Sequence, residues 1–163
     1  MPVEIERKFL VKDPSVVQGV PGTRVRQGYL ADNGMCVRVR VTGTDGMPGN
    51  KGWLTLKGTA AGMSRPEFEY EIPLADALEL LEHHSDLGRV FKTRHILAIG
   101  GGRKWEIDVY DGPLQGLMTA EIELSSEDEQ VELPDWVGAE VTHDRRFSNA
   151  SLAAAGSIPQ VQD

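Results

Sequence analysis

Near the start of the chain, Glu4-Ile5-Glu6-Arg7-Lys8 sets two carboxylates and an ammonium at alternate positions, with Val3, Ile5 and Phe9 on the other phase. In an extended strand alternate side chains share a face, so the ionic groups stand together on one side. The spacing recurs. Arg24 with Arg26, Arg38 with Arg40 and Lys92 with Arg94 are basic pairs two residues apart, and Lys57 ends Leu54-Thr55-Leu56-Lys57 in the same rhythm. Glu67, Glu69 and Glu71, then Glu106 and Asp108, then Glu121 and Glu123 are acidic sets of the same kind. Hard divalent cations such as Mg²⁺ and Mn²⁺ prefer oxygen ligands and commonly bridge carboxylates to phosphate oxygens. Guanidinium forks match phosphate geometry. A wall carrying both sets suits a metal-bound phosphate chain.

Like charges side by side cost stability: two carboxylates about 4 Å apart repel by about 4 kcal/mol at an effective dielectric of about 20. An ordinary wet sheet face mixes signs, so several like-charged pairs require counter-ions. The elements that carry them are short alternating segments, predicted as strands near 3–12, 23–31, 36–43, 52–59, 66–73, 90–98, 103–110 and 119–125. Turn residues separate them at Asp32-Asn33-Gly34, from Gly43 to Gly52, at Ala60-Ala61-Gly62 and at Gly100-Gly101-Gly102. About eight strands predict a mainly β, α+β fold, an antiparallel sheet closed or nearly closed into a barrel with room inside for side chains or one small ligand. Leu74, Ala77, Leu78 and Leu81 recur at helical steps, giving an amphipathic helix over 74–84. A second helix is expected over 148–155, started by Ser148 or Asn149 and ended by Gly156 with Pro159. Asp13-Pro14-Ser15 opens a short helical turn, and the acidic stretch from Ser126 to Glu132 reads as a loop. Both helices are expected to cover the outward apolar face, with Trp53 and Trp105 beneath them.

The chain has 163 residues, and 17 Lys+Arg against 25 Asp+Glu give a formal net charge of −8. That length supports about one domain, and residues 1–163 show no repeat, low-complexity tract or linker that would mark a second. Hydrophobic residues at 40% supply enough material for a core and exclude wholesale disorder. A single cysteine, Cys36, forms no internal disulfide, and no Cys/His cluster has zinc-ligand spacing. The start lacks a basic segment followed by a long apolar one, and no apolar run approaches ~18 residues. A soluble, cytoplasmic protein is expected. The acidic balance argues against nucleic acid or an anionic membrane as partner, so any polyanion must meet a local basic site.

The Glu4-Ile5-Glu6-Arg7-Lys8 opening resembles the Glu-x-Glu-x-Lys signature of the CYTH domains, also called triphosphate tunnel metalloenzymes. The resemblance continues in order through Gly28-Tyr29-Leu30, Val37-Arg38-Val39-Arg40, Leu56-Lys57-Gly58, Arg65-Pro66-Glu67-Phe68-Glu69-Tyr70-Glu71, Lys92-Thr93-Arg94, Trp105-Glu106-Ile107-Asp108, Ala120-Glu121-Ile122-Glu123-Leu124 and Val141 to Asn149. It implies an eight-stranded antiparallel tunnel that binds a triphosphate and uses Mg²⁺ or Mn²⁺ to act on it. The opening and the short length are most similar to the bacterial inorganic triphosphatase branch, which cleaves tripolyphosphate to pyrophosphate and phosphate. Class IV adenylyl cyclases, thiamine or nucleoside triphosphatases, and a non-catalytic polyphosphate- or nucleotide-binding module stay open as alternatives. Members of the family often form homodimers, but no interface is legible in this chain.

On this resemblance the metal-side carboxylates are Glu4, Glu6, Glu69, Asp108, Glu121 and Glu123. The phosphate-side groups are Lys8, Arg26, Arg38, Arg40, Lys57, Arg65, Lys92, Arg94 and Arg146; Tyr29 either contacts the ligand through its hydroxyl or packs in the core. One metal would neutralise phosphate charge and a second would acidify a water for in-line attack, with Glu6 or Glu123 taking its proton and Lys8 beside them. Phosphoryl transfer rests on positioning and charge neutralisation, so no Ser or Cys nucleophile is needed. His83 and His84 suit a helix C-terminus, Arg7 and Lys12 take solvent-facing phases, and Cys36 reads as a small packed thiol.

Overall fold

The computed structural model describes residues 3–44 and 49–161. The alternating segments form β1 (Val3–Val11), β2 (Gly22–Asp32), β3 (Cys36–Thr42), β4 (Lys51–Lys57), β5 (Ser64–Ile72), β6 (Arg89–Gly100), β7 (Arg103–Tyr110), β8 (Met118–Glu123) and β9 (Val137–Glu140). Two α-helices accompany them, α1 (Leu74–His83) and α2 (Asn149–Ala155), and Pro14–Val17 makes the expected short turn of 3-10 helix. Part of the turn expected between Gly43 and Gly52, residues 45–48, lies outside the described residues. Among the described residues no helix is long and apolar enough to cross a membrane.

The strands run in the order β5-β4-β3-β2-β6-β7-β8-β1-β9, all neighbours antiparallel, and β1 also pairs β5. Eight strands therefore close into a tunnel-like ring, and β9 is appended. β1 makes this possible by dividing its length: Val3, Ile5 and the residue between pair β5, Phe9 and Val11 pair β9, and Glu6 to Leu10 pair β8. β9 was not foreseen, because four residues give too short a window for a period of two to show.

Register brings the ionic stripes to one side. Arg38 lies opposite Thr55, and Thr55 opposite Glu69; Glu6 lies opposite Glu123; Lys8 lies opposite Glu121, and Glu121 opposite Glu106. The other phase is apolar and covered from outside. Val39 and Val41 of β3 pack under Ala77 and Leu81 of α1. Gly52 lets α1 approach, since a Cβ there would stand 2.4 Å from that of Ala77. Phe9, Trp105, Ile107, Ala120 and Ile122 pack under Val16, Val17, Val131 and Trp136 from the segments after β1 and β8. Trp105 meets Trp136 edge-on at 5.2 Å between centroids.

Two expectations are corrected here. α2 does not join α1 on the outer face: Leu152 and Ala153 pack against Tyr29, Val90, Tyr110 and Leu117, all on the inward phase. The lumen is thus ionic along part of its length and apolar where α2 fills it. Ser148 caps this helix by accepting from the Ser151 N–H at 3.1 Å, and Gly156 ends it in the left-handed conformation at φ 62°. The second correction concerns Trp53, which shares the phase of Thr55 and Lys57, pairs with Arg40 and is half-buried. Trp105 alone is core.

Candidate active site

Inside the ring lies a cavity of about 490 Å³, walled by strands β1 to β8 and by the segment from Val141 to Ala150. The strand phase supplies its carboxylates. Glu4, Glu6, Glu69, Glu121 and Glu123 line it, with Glu4 and Glu121 buried and Glu123 exposed. Glu6 hydrogen-bonds to both Glu4 and Glu121, and Glu4 also to Glu67. Burial, then the charges of Glu121 and Glu4, push the Glu6 carboxyl well above its ordinary range. Burial and the bond to Glu4 raise Glu67 to about 7. Against burial, the bond from Glu67 and the Lys57 ammonium hold Glu4 well below the usual range. Glu121 is lowered to about 2, burial being outweighed by Lys8 and Arg94. Among the described residues no three such groups stand in ligand geometry. An all-carboxylate donor set is chemically suited to a hard divalent cation.

Lys8, Arg38, Arg40, Lys57, Arg65 and Arg94 line the same cavity. Lys57 donates to Glu4 at 3.0 Å, and Arg38 reaches Thr55 at 3.1 Å and Glu69 at 3.3 Å. The Arg38 Nε is buried without a hydrogen-bond partner. Lys8 donates to the Phe147 carbonyl at 2.6 Å and lies 3.8 Å from Glu121. Arg65 donates to the Gly58 carbonyl at 3.2 Å. Burial, then Arg38 and Arg94, lower Arg40 to about 10, so it stays charged at neutral pH. Tyr29 also faces the cavity, and its ring belongs to the apolar cluster under α2.

A family model, the CYTH domain, matches residues 2–155. The chain belongs to the CYTH family. It is 42% identical to an inorganic triphosphatase of Acetivibrio thermocellus over 150 residues, covering 91% of this chain and 92% of that one. An inorganic triphosphatase of Nitrosomonas europaea is 38% identical over 160 residues, covering 96% and 99%. A crystal structure of an inorganic triphosphatase aligns with a TM-score of 0.64 at 35% identity, covering 98% of this chain and 99% of that one.

Four expected site residues do not line the cavity of this CYTH domain. Arg26 lies out of phase with Gln27 and Tyr29, opposite Val41 and Phe91, so it belongs to the outer face. Arg146 is exposed and forks onto Asp144 at 2.7 Å. Lys92 and Asp108 are buried in the wall and bond each other at 2.7 Å, while Arg94 takes both Asp108 oxygens at 2.8 and 2.9 Å. Burial is outweighed by these two cations, which hold Asp108 below the carboxylate range. Three donor bonds from Lys92 and Arg94 thus hold its two oxygens.

Glu67, Glu106 and Arg145 line the cavity and were not among the expected site residues. Glu67 and Glu106 share the phase of Glu69 and Asp108, a signal that was present in the sequence; Glu106 binds Arg94 at 2.8 Å. Arg145, in a short 3-10 turn, takes the place expected of Arg146, and no strand period could have distinguished the two.

Proposed function

We propose that this protein hydrolyses inorganic triphosphate to pyrophosphate and phosphate in the ionic part of the ring, with Mg²⁺ or Mn²⁺ as cofactor. The observation that carries this reading is the convergence of a carboxylate cluster and a set of cations on the wall of one cavity inside the ring. The sequence likeness to two inorganic triphosphatases over nearly the whole chain supports it. The charge balance supports the metal. Seven cations line the cavity against nine Asp and Glu, so the wall has no positive excess to offset a polyanion. Neutralisation of the phosphate chain has to come partly from added cations.

Glu4, Glu6, Glu121 and Glu123 would hold the metal, with Glu67 as a further oxygen donor. Bound there, a divalent cation neutralises phosphate charge and acidifies an attacking water. Arg38, Arg40, Lys57 and Arg65, which line the cavity, grip the phosphate oxygens. Arg94, held by Asp108 and Glu106, contributes a fixed positive charge. Lys8 is oriented by the Phe147 carbonyl and keeps its remaining protons for substrate. Glu123, exposed on the wall opposite Glu6, takes the proton of the water. Such a site works by positioning and electrostatics rather than by a protein nucleophile.

The test is incubation of the purified protein with tripolyphosphate, ATP or thiamine triphosphate and Mg²⁺ or Mn²⁺, with the products identified. Phosphate and pyrophosphate from tripolyphosphate are expected. Cyclic AMP from ATP, or binding of tripolyphosphate without turnover, would overturn the reading.

A further inference from the structure

We infer that Gln27 is a positioning residue of this site: its amide turns the Tyr29 hydroxyl into a donor aimed at the bound phosphate chain and fixes the Arg40 guanidinium beside it. The inference rests on the triphosphatase reading and adds a residue to it.

Gln27 lies on β2 in the inward phase between Val25 and Tyr29, opposite Arg40 of β3, and is 0% exposed. Its Oε1 accepts from the Arg40 Nε at 3.1 Å, and its Nε2 donates to the Tyr29 hydroxyl oxygen at 2.7 Å. The orientation of the amide follows from chemistry. A guanidinium offers donors only, so the amide oxygen must face Arg40 and the NH₂ must face Tyr29. The phenol oxygen therefore receives a hydrogen bond, and its own hydrogen has to point elsewhere. Among the described residues no group accepts that hydrogen, and Tyr29 and Arg40 both line the cavity. An oxyanion in the lumen would accept it. Burial raises the Tyr29 hydroxyl above its ordinary range, so it retains this proton at neutral pH.

A carboxylate at position 27 would keep the size and the contact with Arg40 but reverse the polarity toward Tyr29. The phenol would then donate to it and withdraw its hydrogen from the lumen. Losses due to added charge or to a loosened Arg40 do not depend on the Tyr29 hydroxyl, so a double-mutant cycle separates them. The experiment measures kcat/KM and the Kd for tripolyphosphate in wild type, Q27E, Y29F and the double variant, with circular dichroism to check folding. Y29F is expected to lose about tenfold, as for one charge-assisted hydrogen bond. Q27E is expected to lose at least threefold less in the Y29F background than alone. Should Q27E not fold, Q27M replaces it in the same cycle with the same expected coupling. Additive losses in an active wild type would overturn the role of Gln27 while leaving the triphosphatase reading intact. A wild type that neither binds nor cleaves tripolyphosphate would overturn both.

Discussion

Arg38 and Glu4 both line the cavity, one a cation with an unpartnered guanidinium nitrogen and the other a member of the carboxylate cluster. Arg38→Ala and Glu4→Gln are each expected to lower kcat by about 100-fold or more, in line with removal of one electrostatic stabiliser. Thermal melts of both should stay near wild type; a variant with wild-type turnover would remove that residue from the site. Asp108 predicts the opposite. Asp108→Asn leaves Lys92 buried without its counter-charge, an expected loss of about 3–5 kcal/mol, read by urea unfolding. A stable variant with abolished turnover would instead make Asp108 a ligand. These contrasts show what single residues reveal in sequence. The phase of Glu4, Glu6, Arg38 and Arg40 was readable from alternation alone. Whether an inward charge faces the cavity or is consumed by the wall, as at Lys92 and Asp108, depends on which side chains the adjacent strand places beside it.

At the scale of elements, α1 and α2 do different work although both looked like covers. α1 seals an outer face, whereas α2 fills the apolar end of the lumen with Leu152, which is 0% exposed against Tyr29 and Tyr110. The two apolar surfaces that could receive a helix are the same in sequence until the ring closes, because alternation fixes a phase but not which phase is inside. Gly88, at φ +107°, marks the approach of α2, since a Cβ there would stand 2.3 Å from the Ala153 carbonyl oxygen. Gly88→Ala is therefore expected to destabilise by more than about 1 kcal/mol, through both the backbone conformation and the displaced helix. Leu152→Ala should cost about 2–5 kcal/mol. Urea titrations of both variants measure these losses, and wild-type midpoints would mean that α2 is not packed as described.

For the whole molecule, the carboxylate cluster links stability to pH and to metal. Glu6 is raised well above its ordinary range and Glu67 to about 7, so between about pH 4.5 and 7 the folded state binds more protons than the unfolded chain. Stability of the metal-free protein should therefore be fully present below that window and fall as pH rises through it. The lowered carboxyls, Glu4 and Glu121, contribute in the opposite sense, and their stabilisation is lost only as pH falls below about 4.5 toward their folded-state values. Melting in EDTA across pH 5 to 8 should show the decline, and added Mg²⁺ or Mn²⁺ should offset it most at the alkaline end. On the proposed reading, an added cation would also offset the repulsion between an anionic substrate and a chain of net charge −8 whose lumen has no positive excess. The most direct test of this account is release of phosphate from tripolyphosphate by the purified protein, with and without Mg²⁺ or Mn²⁺. Turnover to pyrophosphate and phosphate that stops in EDTA is the predicted result. Turnover undiminished by EDTA, or none with the metal present, would contradict it.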